Sequence, residues 1–556
     1  MNSFLQRHHK KLFYTLWAFL GIVQAASTQL IDDEAYYWVY SRFPAWGYFD
    51  HPPLTALLIK TGYAVFPNEL GVRLLNVLLN LLTILIIETL TERKNPFIFY
   101  AIALSISSLQ IIGFLAVPDN ALLFFTALFF YVYHRFLCRP AFTTALLLGM
   151  VMALLLYTKY HGLLVIVFTL LSNFKLLSQP KAWVAALFAI LLYSPHLYWQ
   201  WQNNWVSFRY HLFESNVNPY KITYTTDYLL GQLLLAGPFA GFLLLPAAFL
   251  YRTQNKTESA LKTTLIGIYV LFFISSFRGR VEANWPAPAL IPLIILSHRY
   301  ISSNDRFLSP IKILAILSLV VMLASRIYMI VDIGPDNSIK NRFHAARKWV
   351  PVLNEKTGGY PVVFNSSYQK ASQFWFYSKK PVHNMHYFLS RRSNYNFWPT
   401  DLALMGRSVY CAADDSLASH IDSVHVGKTA FYLWFDSSYV SFGKARIIPG
   451  RLTYSVKKGE PLALQVSAQF PYPYDRILAA NPGVPTGIHF GISKHGKKIK
   501  EIPTNITAQM LLHNKTLKIH IHTGDLPPGH YVCRFGIKVK NHHPTHNSDE
   551  ITLHVK

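Results

Sequence analysis

Carboxylates and bases appear in this chain at a few sharply defined places. Residues 31–54, IDDEAYYWVYSRFPAWGYFDHPPL, carry Asp32, Asp33, Glu34 and Asp50, with His51 next to the last. Further on, AVPDN supplies Asp119, YTKYHG supplies Lys159 and His161, and FRGRVEANWP supplies Arg278, Arg280 and Glu282. A carboxylate can take a proton from an attacking hydroxyl. Lysine, arginine and histidine can hold a phosphate or pyrophosphate through charge-assisted hydrogen bonds. A reaction in which a hydroxyl attacks and a phosphate leaves needs both kinds of group. The prolines of YFDHPPL cannot sustain a helix interior and fix a turn, which would hold Asp50 and His51 in place. The aromatics around them, Tyr37 included, suit the headgroup zone of a bilayer. They also stack on sugar faces, although most are expected to serve packing.

Taken singly, each of these residues has an architectural explanation. Asp33 and Glu34 can be interfacial, and Asp119 can cap the apolar run that follows it. Lys159 can snorkel, and Arg278 and Arg280 can meet lipid headgroups. As a set they are harder to dismiss, because charged residues in or beside membrane segments are costly and usually have a functional partner.

The elements that must position them are apolar. Of 556 residues, 52% are hydrophobic and 14% charged, against about a quarter charged in soluble domains. The deficit lies in residues 1–332. A bilayer core of about 30 Å needs about 20 apolar residues per helix. Runs that approach this are expected at 12–27, 70–90, 97–116, 119–137, 141–158, 161–177, 182–196, 229–250, 263–277, 286–299 and 310–332. The nearly continuous stretch 141–174 is divided at YTKYHG. With the basic N-terminal stretch RHHKK in the cytoplasm, eleven crossings put Arg93, Lys94, Arg135, Arg139, Lys175, Lys181, Arg252, Arg299 and Arg306 in inner loops, as the positive-inside rule asks. All the groups named above then fall in outer loops, and the C-terminal part is exported. The first run followed by QAAS also fits a cleaved signal peptide; a retained helix is preferred, and later topology is the same either way. The net charge of +25 therefore reads as membrane orientation, with anionic lipids or glycans as neighbours, and no nucleic-acid partner is expected.

From residue 335 the composition is that of a soluble protein, so the domains are expected at 1–334, 335–446 and 447–556. Helical FHAARKWVPVLNEK alternates with strand-like PVVFNSS and TAFYLWF, which suggests a small α/β unit. From 447, RLTYSVKKG, PLALQVSAQF, LKIHIHTG and HYVCRFGIKV alternate polar and apolar residues, which suggests a β-sandwich. Whether Cys411 and Cys533 pair is left open. No Walker loop and no strand followed by GxGxxG is present.

Together, DDEAYYW, WGYFDHPPL, VPDNALLFF, KYHGLLVI and RGRVEANWPAPALIPL resemble the family-39-like glycosyltransferases of the GT-C superfamily. These are relatives of the protein O-mannosyltransferases and of the enzyme that adds aminoarabinose to lipid A. The resemblance runs from about residue 25 to 300 and reaches SSYQKASQFWFYS and NYNFWP. It implies a polytopic α-helical membrane protein with its active site at the outer face. It also implies inverting transfer of a sugar from a polyprenyl phosphate to a lipid, glycan or protein acceptor. It assigns Asp33, Glu34 and Asp119 to catalysis, with Asp33 as base or acceptor orienter; Asp32 makes that assignment ambiguous by one position. His51, Lys159, Arg278 and Arg280 are implied for the donor phosphate, and Asp50, Tyr37 and Glu282 for sugar or acceptor. No cofactor is assigned, and a divalent metal among Asp33, Asp119 and His51 stays open. The short loops suggest a bacterial inner membrane, with the C-terminal part periplasmic. A transporter or flippase of lipid-linked saccharides and a membrane-anchored binding protein are the rival readings.

Overall fold

The computed structural model describes residues 3–214, 219–335, 337–365, 367–414, 422–524 and 526–556. They form two compact units, Met1–His344 and Ala345–Lys556.

The first unit is helical. Its opening elements are α1 (Ser3–Ser27), α2 (Asp32–Arg42), α3 (Leu54–Val65) and α4 (Glu69–Leu90). Next come α5 (Pro96–Ser105), α6 (Ser107–Ile111), α7 (Pro118–Cys138), α8 (Phe142–Thr158), α9 (Gly162–Ser172) and α10 (Pro180–Gln202). A short turn, α11 (Val206–Arg209), leads to α12 (Ile222–Leu235), α13 (Gly241–Leu250), α14 (Lys256–Ser275), α15 (Leu290–Ser302) and α16 (Leu308–Ile330). Among the described residues five segments are long and apolar enough to cross a bilayer unaided: Glu69–Leu90, Pro118–Cys138, Pro180–Gln202, Lys256–Ser275 and Asp305–Ile330. The remaining apolar helices are shorter.

Capping explains several starts. The Asn68 side chain accepts from the Gly71 amide at 3.2 Å to begin α4, and Pro118 opens α7 at a position where its missing N–H costs nothing. The division at YTKYHG matches the gap between α8 and α9. Two expected spans are instead broken. The run at 97–116 bends at Ile106, which is extended. The run at 229–250 begins earlier, at Ile222, and breaks at Gly237, whose φ of +124° suits only glycine. The two breaks touch: a Cβ on Gly237 would lie 2.6 Å from the Ser105 carbonyl oxygen, and Ser108 Oγ donates to the Leu235 carbonyl at 3.0 Å. A third difference is α3, which follows the YFDHPP turn where only that turn was expected.

One end of the helical unit is tied by ion pairs. Lys10 meets Glu88 at 2.7 Å, and the Tyr14 and Tyr100 hydroxyls donate to the same carboxylate at 3.1 and 3.3 Å. Arg299 reaches Glu92 at 3.0 Å and Glu258 at 2.8 Å. The starts of α1, α5 and α14 and the ends of α4 and α15 therefore meet there, which is the arrangement that places the end of α1, the start of α4, the end of α14 and the start of α15, with the acidic loops, at the opposite end.

The helix α17 (Ser338–Lys356) leads into the second unit. A five-stranded mixed sheet comprises β1 (Val362–Asn365), β2 (His383–Met385), β3 (Val409–Ala413), β4 (Asp422–Val426) and β5 (Thr429–Asp436), in the order β2-β1-β3-β5-β4, with α18 (Tyr368–Ser378) between β1 and β2. Only β2, β1 and β3 run parallel; β3, β5 and β4 are antiparallel. Residues 446–555 hold two further sheets around one shared apolar core, to which Val466, Ile519, Phe490, Phe535 and Leu553 all belong. This is a β-sandwich, and its strands bury alternate residues, as Leu462–Gln469 shows. Cys138, Cys411 and Cys533 are all free thiols; Cys411 lies in the core of the mixed sheet and Cys533 in that of the sandwich.

Candidate active site

The first turn of α2 presents Asp32, Asp33 and Glu34 in succession, where the helix dipole favours negative charge. Their surroundings differ completely. Glu34 is fully buried and faces an equally buried Arg73 from α4. Arg73 Nε donates to Glu34 Oε1 at 2.7 Å, and its Nη atoms also donate to the carbonyls of Ala25, Thr28 and Gln29 at 3.0, 2.9 and 2.7 Å. Glu34 accepts in addition from the amides of Ala116 at 2.8 Å and Ile31 at 3.1 Å. Its oxygens therefore hold the α1–α2 hinge against α4 and the loop before α7. Asp32 and Asp33 instead face outward, about a third exposed, and share Arg342 of α17, with N–O distances of 3.3 Å to each.

Asp119, in the first turn of α7, is buried. Its Oδ1 takes Lys159 Nζ at 2.8 Å, and its Oδ2 accepts from Asn284 Nδ2 at 2.9 Å. Lys159 caps the end of α8, also buried, and Asn284 comes from the loop before α15. Three loops far apart in sequence thus meet on one carboxylate.

Asp50 lies in the same end of the unit. Tyr36 and Tyr40, on one face of α2, donate to its Oδ2 at 3.1 and 3.0 Å, and its own carbonyl oxygen is 3.0 Å from His211 Nε2. The Tyr37 ring meets His51 edge-on, with centroids 5.6 Å apart. His161 packs against Phe272 and Trp285 at 5.3 and 5.9 Å. His51, His161, His211 and Lys159 all lie within electrostatic reach of one another. Burial first, and then the Lys159 ammonium, hold His51 and His161 well below the usual imidazole range and bring His211 down to about 4. The Nδ1 atoms of His51 and His161 are shut off from solvent and have no hydrogen-bond partner.

The arginine loop is more open. Arg278 is exposed. Arg280 Nε pairs with Glu282 Oε1 at 3.2 Å, and both side chains are more than half exposed. Asn284 places this loop at the same helix end as Asp119. Asp33, Asp50, His51, Asp119, Lys159 and Arg280 therefore belong to loops that share one end of the unit, while Glu34 is engaged inside the scaffold and Glu282 is paired with Arg280. Among the described residues no group of three or more His, Cys, Asp or Glu side chains is set to hold a metal ion, so the convergence of Asp33, Asp119 and His51 on one ion has no counterpart there.

Three contributors went unmarked in the sequence. Arg73 carried a signal, a charge within an apolar helix. His211 looked like an ordinary loop histidine, and Asn284 is neutral and gave none; His161 stood out beside Lys159 but was given no role.

Residues 50–199 match a family model described as dolichyl-phosphate-mannose-protein mannosyltransferase. The lipid A galacturonosyltransferase RgtD of Rhizobium johnstonii is 23% identical over 303 residues, which are 51% of this chain and 63% of RgtD. The chain thus matches less than two thirds of that relative's length. Among solved structures, ArnT from Cupriavidus metallidurans in the apo state superimposes with a TM-score of 0.57 at 14% identity, over 77% of this chain and 98% of ArnT. The same protein bound to undecaprenyl phosphate gives 0.56 at 14% identity, over 76% and 97%. The resemblance to GT-C glycosyltransferases drawn from the motifs is borne out, and over 77% of its length the chain shares the fold of these structures.

Proposed function

We propose that this chain is an integral membrane glycosyltransferase that moves a sugar from a polyprenyl-phosphate donor to an acceptor at the outer face of the membrane, with inversion. The observation that carries this reading is the buried Lys159–Asp119–Asn284 contact beside His51 and His161. Asp119, Lys159 and His51 all fall in the segment matched by the mannosyltransferase family model. Relatives bound to undecaprenyl phosphate or acting on lipid A support a lipid-linked donor and a lipid acceptor.

In this reading the prenyl tail lies among the helices and the phosphate sits at Lys159. Asp119 and Asn284 fix the ammonium, so it stabilises the growing charge on the leaving phosphate without reorganising. Arg278 and Arg280, exposed at the same end, meet the phosphate from the solvent side, and Glu282 steers Arg280. Asp33 takes the acceptor's proton, or orients an acceptor that is already anionic, and Arg342 keeps it in place. Asp50, held by two tyrosines, and Tyr37 line the sugar side. Glu34 serves by holding the hinge that carries Asp33. The site belongs to a bacterial inner membrane, with the N-terminus cytoplasmic and the second unit periplasmic.

A flippase reading draws on the touching breaks at Ile106 and Gly237, since transporters use broken helices. No charged residue stands at 105–108 or 235–240, however, and the charged set lies at the loop end. The test is incubation of purified protein with a panel of polyprenyl-phosphate sugars, followed by mass spectrometry. We expect one donor to be consumed by the wild type and not by Asp33→Asn, with insertion unchanged. Consumption at the wild-type rate by Asp33→Asn would refute the role of Asp33, and consumption of no donor, with lipid movement across vesicles instead, would favour the flippase.

A further inference from the structure

We propose that His51 and His161 form, with Lys159, a proton-coupled clamp for the polyprenyl phosphate left behind by transfer, so that the product is held tightly when the histidines are charged and released when they are neutral. This rests on the reading that the donor phosphate sits at Lys159.

The argument starts from charge. When the bond between the anomeric carbon and the phosphate oxygen breaks, the electron pair stays on the phosphate. A diester with one negative charge becomes a monoester with up to two. Lys159 is already matched by Asp119, so it alone cannot balance the added charge. The groups around it are His51 from the α2–α3 loop, His161 from the α8–α9 loop and His211 from the segment after α11. The other charged neighbours are Asp119 on Lys159, Asp50, whose Oδ2 is capped by Tyr36 and Tyr40, and the Arg280–Glu282 pair beside Asn284. Two of the three imidazoles keep a sealed Nδ1 with no partner. A buried polar atom left unpaired costs about 1–3 kcal/mol, and a phosphate oxygen is an acceptor that would satisfy both rings. Burial and Lys159 keep the histidines neutral. A bound dianion reverses the sign of the local field and favours imidazolium, with the proton drawn from solvent.

The linkage has a definite direction. The histidines' proton affinity is low when the site is empty and raised when phosphate is bound. Binding therefore tightens as pH falls through the bound-state value and weakens as pH rises above it, by up to about tenfold per pH unit for each proton taken up. The ligand's own second ionisation, near pH 6, contributes equally in every variant, so the effect is read as a difference between proteins.

The experiment uses the full chain in nanodiscs and a short-chain polyprenyl monophosphate. Affinity is measured by calorimetry from pH 5.5 to 8.5 in buffers of different ionisation enthalpy, which count the protons taken up. The wild type should take up more protons than His161→Asn or His51→Asn, and its affinity should fall more steeply with rising pH. Lys159→Met should lose most binding at every pH. Equal proton uptake and equal slopes in the wild type and both histidine variants would overturn the clamp while leaving the phosphate at Lys159. Wild-type affinity in Lys159→Met would instead remove the phosphate from this site altogether. Thermal unfolding of each variant identifies any that misfold, and the remaining histidine variant then decides.

Discussion

Asp119 and Lys159 show what can be read from single residues. Each was visible as a charge at the edge of an apolar run. Their mutual contact was not, because it spans 40 residues of chain and depends on how α7 packs beside α8. Asn284 was invisible for a different reason: a neutral amide in a loop is common, and only its 2.9 Å bond to Asp119 sets it apart. A hydrogen bond to a buried charge contributes about 1.5–3 kcal/mol. Asn284→Ala should therefore lower donor turnover at least about tenfold, by leaving Lys159 on a carboxylate free to rotate. Steady-state kinetics with whichever donor the panel of polyprenyl-phosphate sugars singles out checks this, and unchanged turnover would make Asn284 a bystander. Glu34 carries the opposite lesson. It stands in the acidic motif next to Asp33, yet its environment is wholly interior.

At the scale of elements, that interior pair is the pin between α2 and α4. Removing one partner of a buried ion pair costs about 3–5 kcal/mol, because the other charge is left unmatched in a dry interior. Arg73→Met should thus unfold the helical unit at a clearly lower temperature, and Arg73→Met combined with Glu34→Leu should recover most of the loss. Thermal unfolding in detergent measures both; a double variant as unstable as the single would show that the backbone bonds of Arg73, and not the ion pair, are what matters. The division between α8 and α9 was legible because Lys159, His161 and Gly162 interrupt an apolar run. The breaks at Ile106 and Gly237 were not, because hydropathy averages across a bend when residues on both sides are apolar. Gly237–Pro238 was the available warning, since glycine and proline together rarely continue a helix.

For the whole molecule, two belts of polar contacts sit at opposite ends of the helical unit: Lys10, Glu88, Arg299, Glu92 and Glu258 at one, and Asp33, Asp119, Lys159 and Asn284 at the other. With the basic end in the cytoplasm, reporter fusions at residues 93 and 304 should give a cytoplasmic signal and fusions after 45 or 280 an external one. A cytoplasmic signal after residue 280 would break the shared site. The alternation within Leu462–Gln469 and Gly529–Val539 made the sandwich legible, whereas strand order depends on long-range pairing that local pattern does not encode. One trait of the second unit reaches beyond catalysis. Its two cysteines are single thiols embedded in separate hydrophobic interiors, so its maturation does not wait on oxidative folding. It should assemble as readily in cells stripped of their thiol-oxidising machinery, and a reductant in the purification buffer should leave it intact.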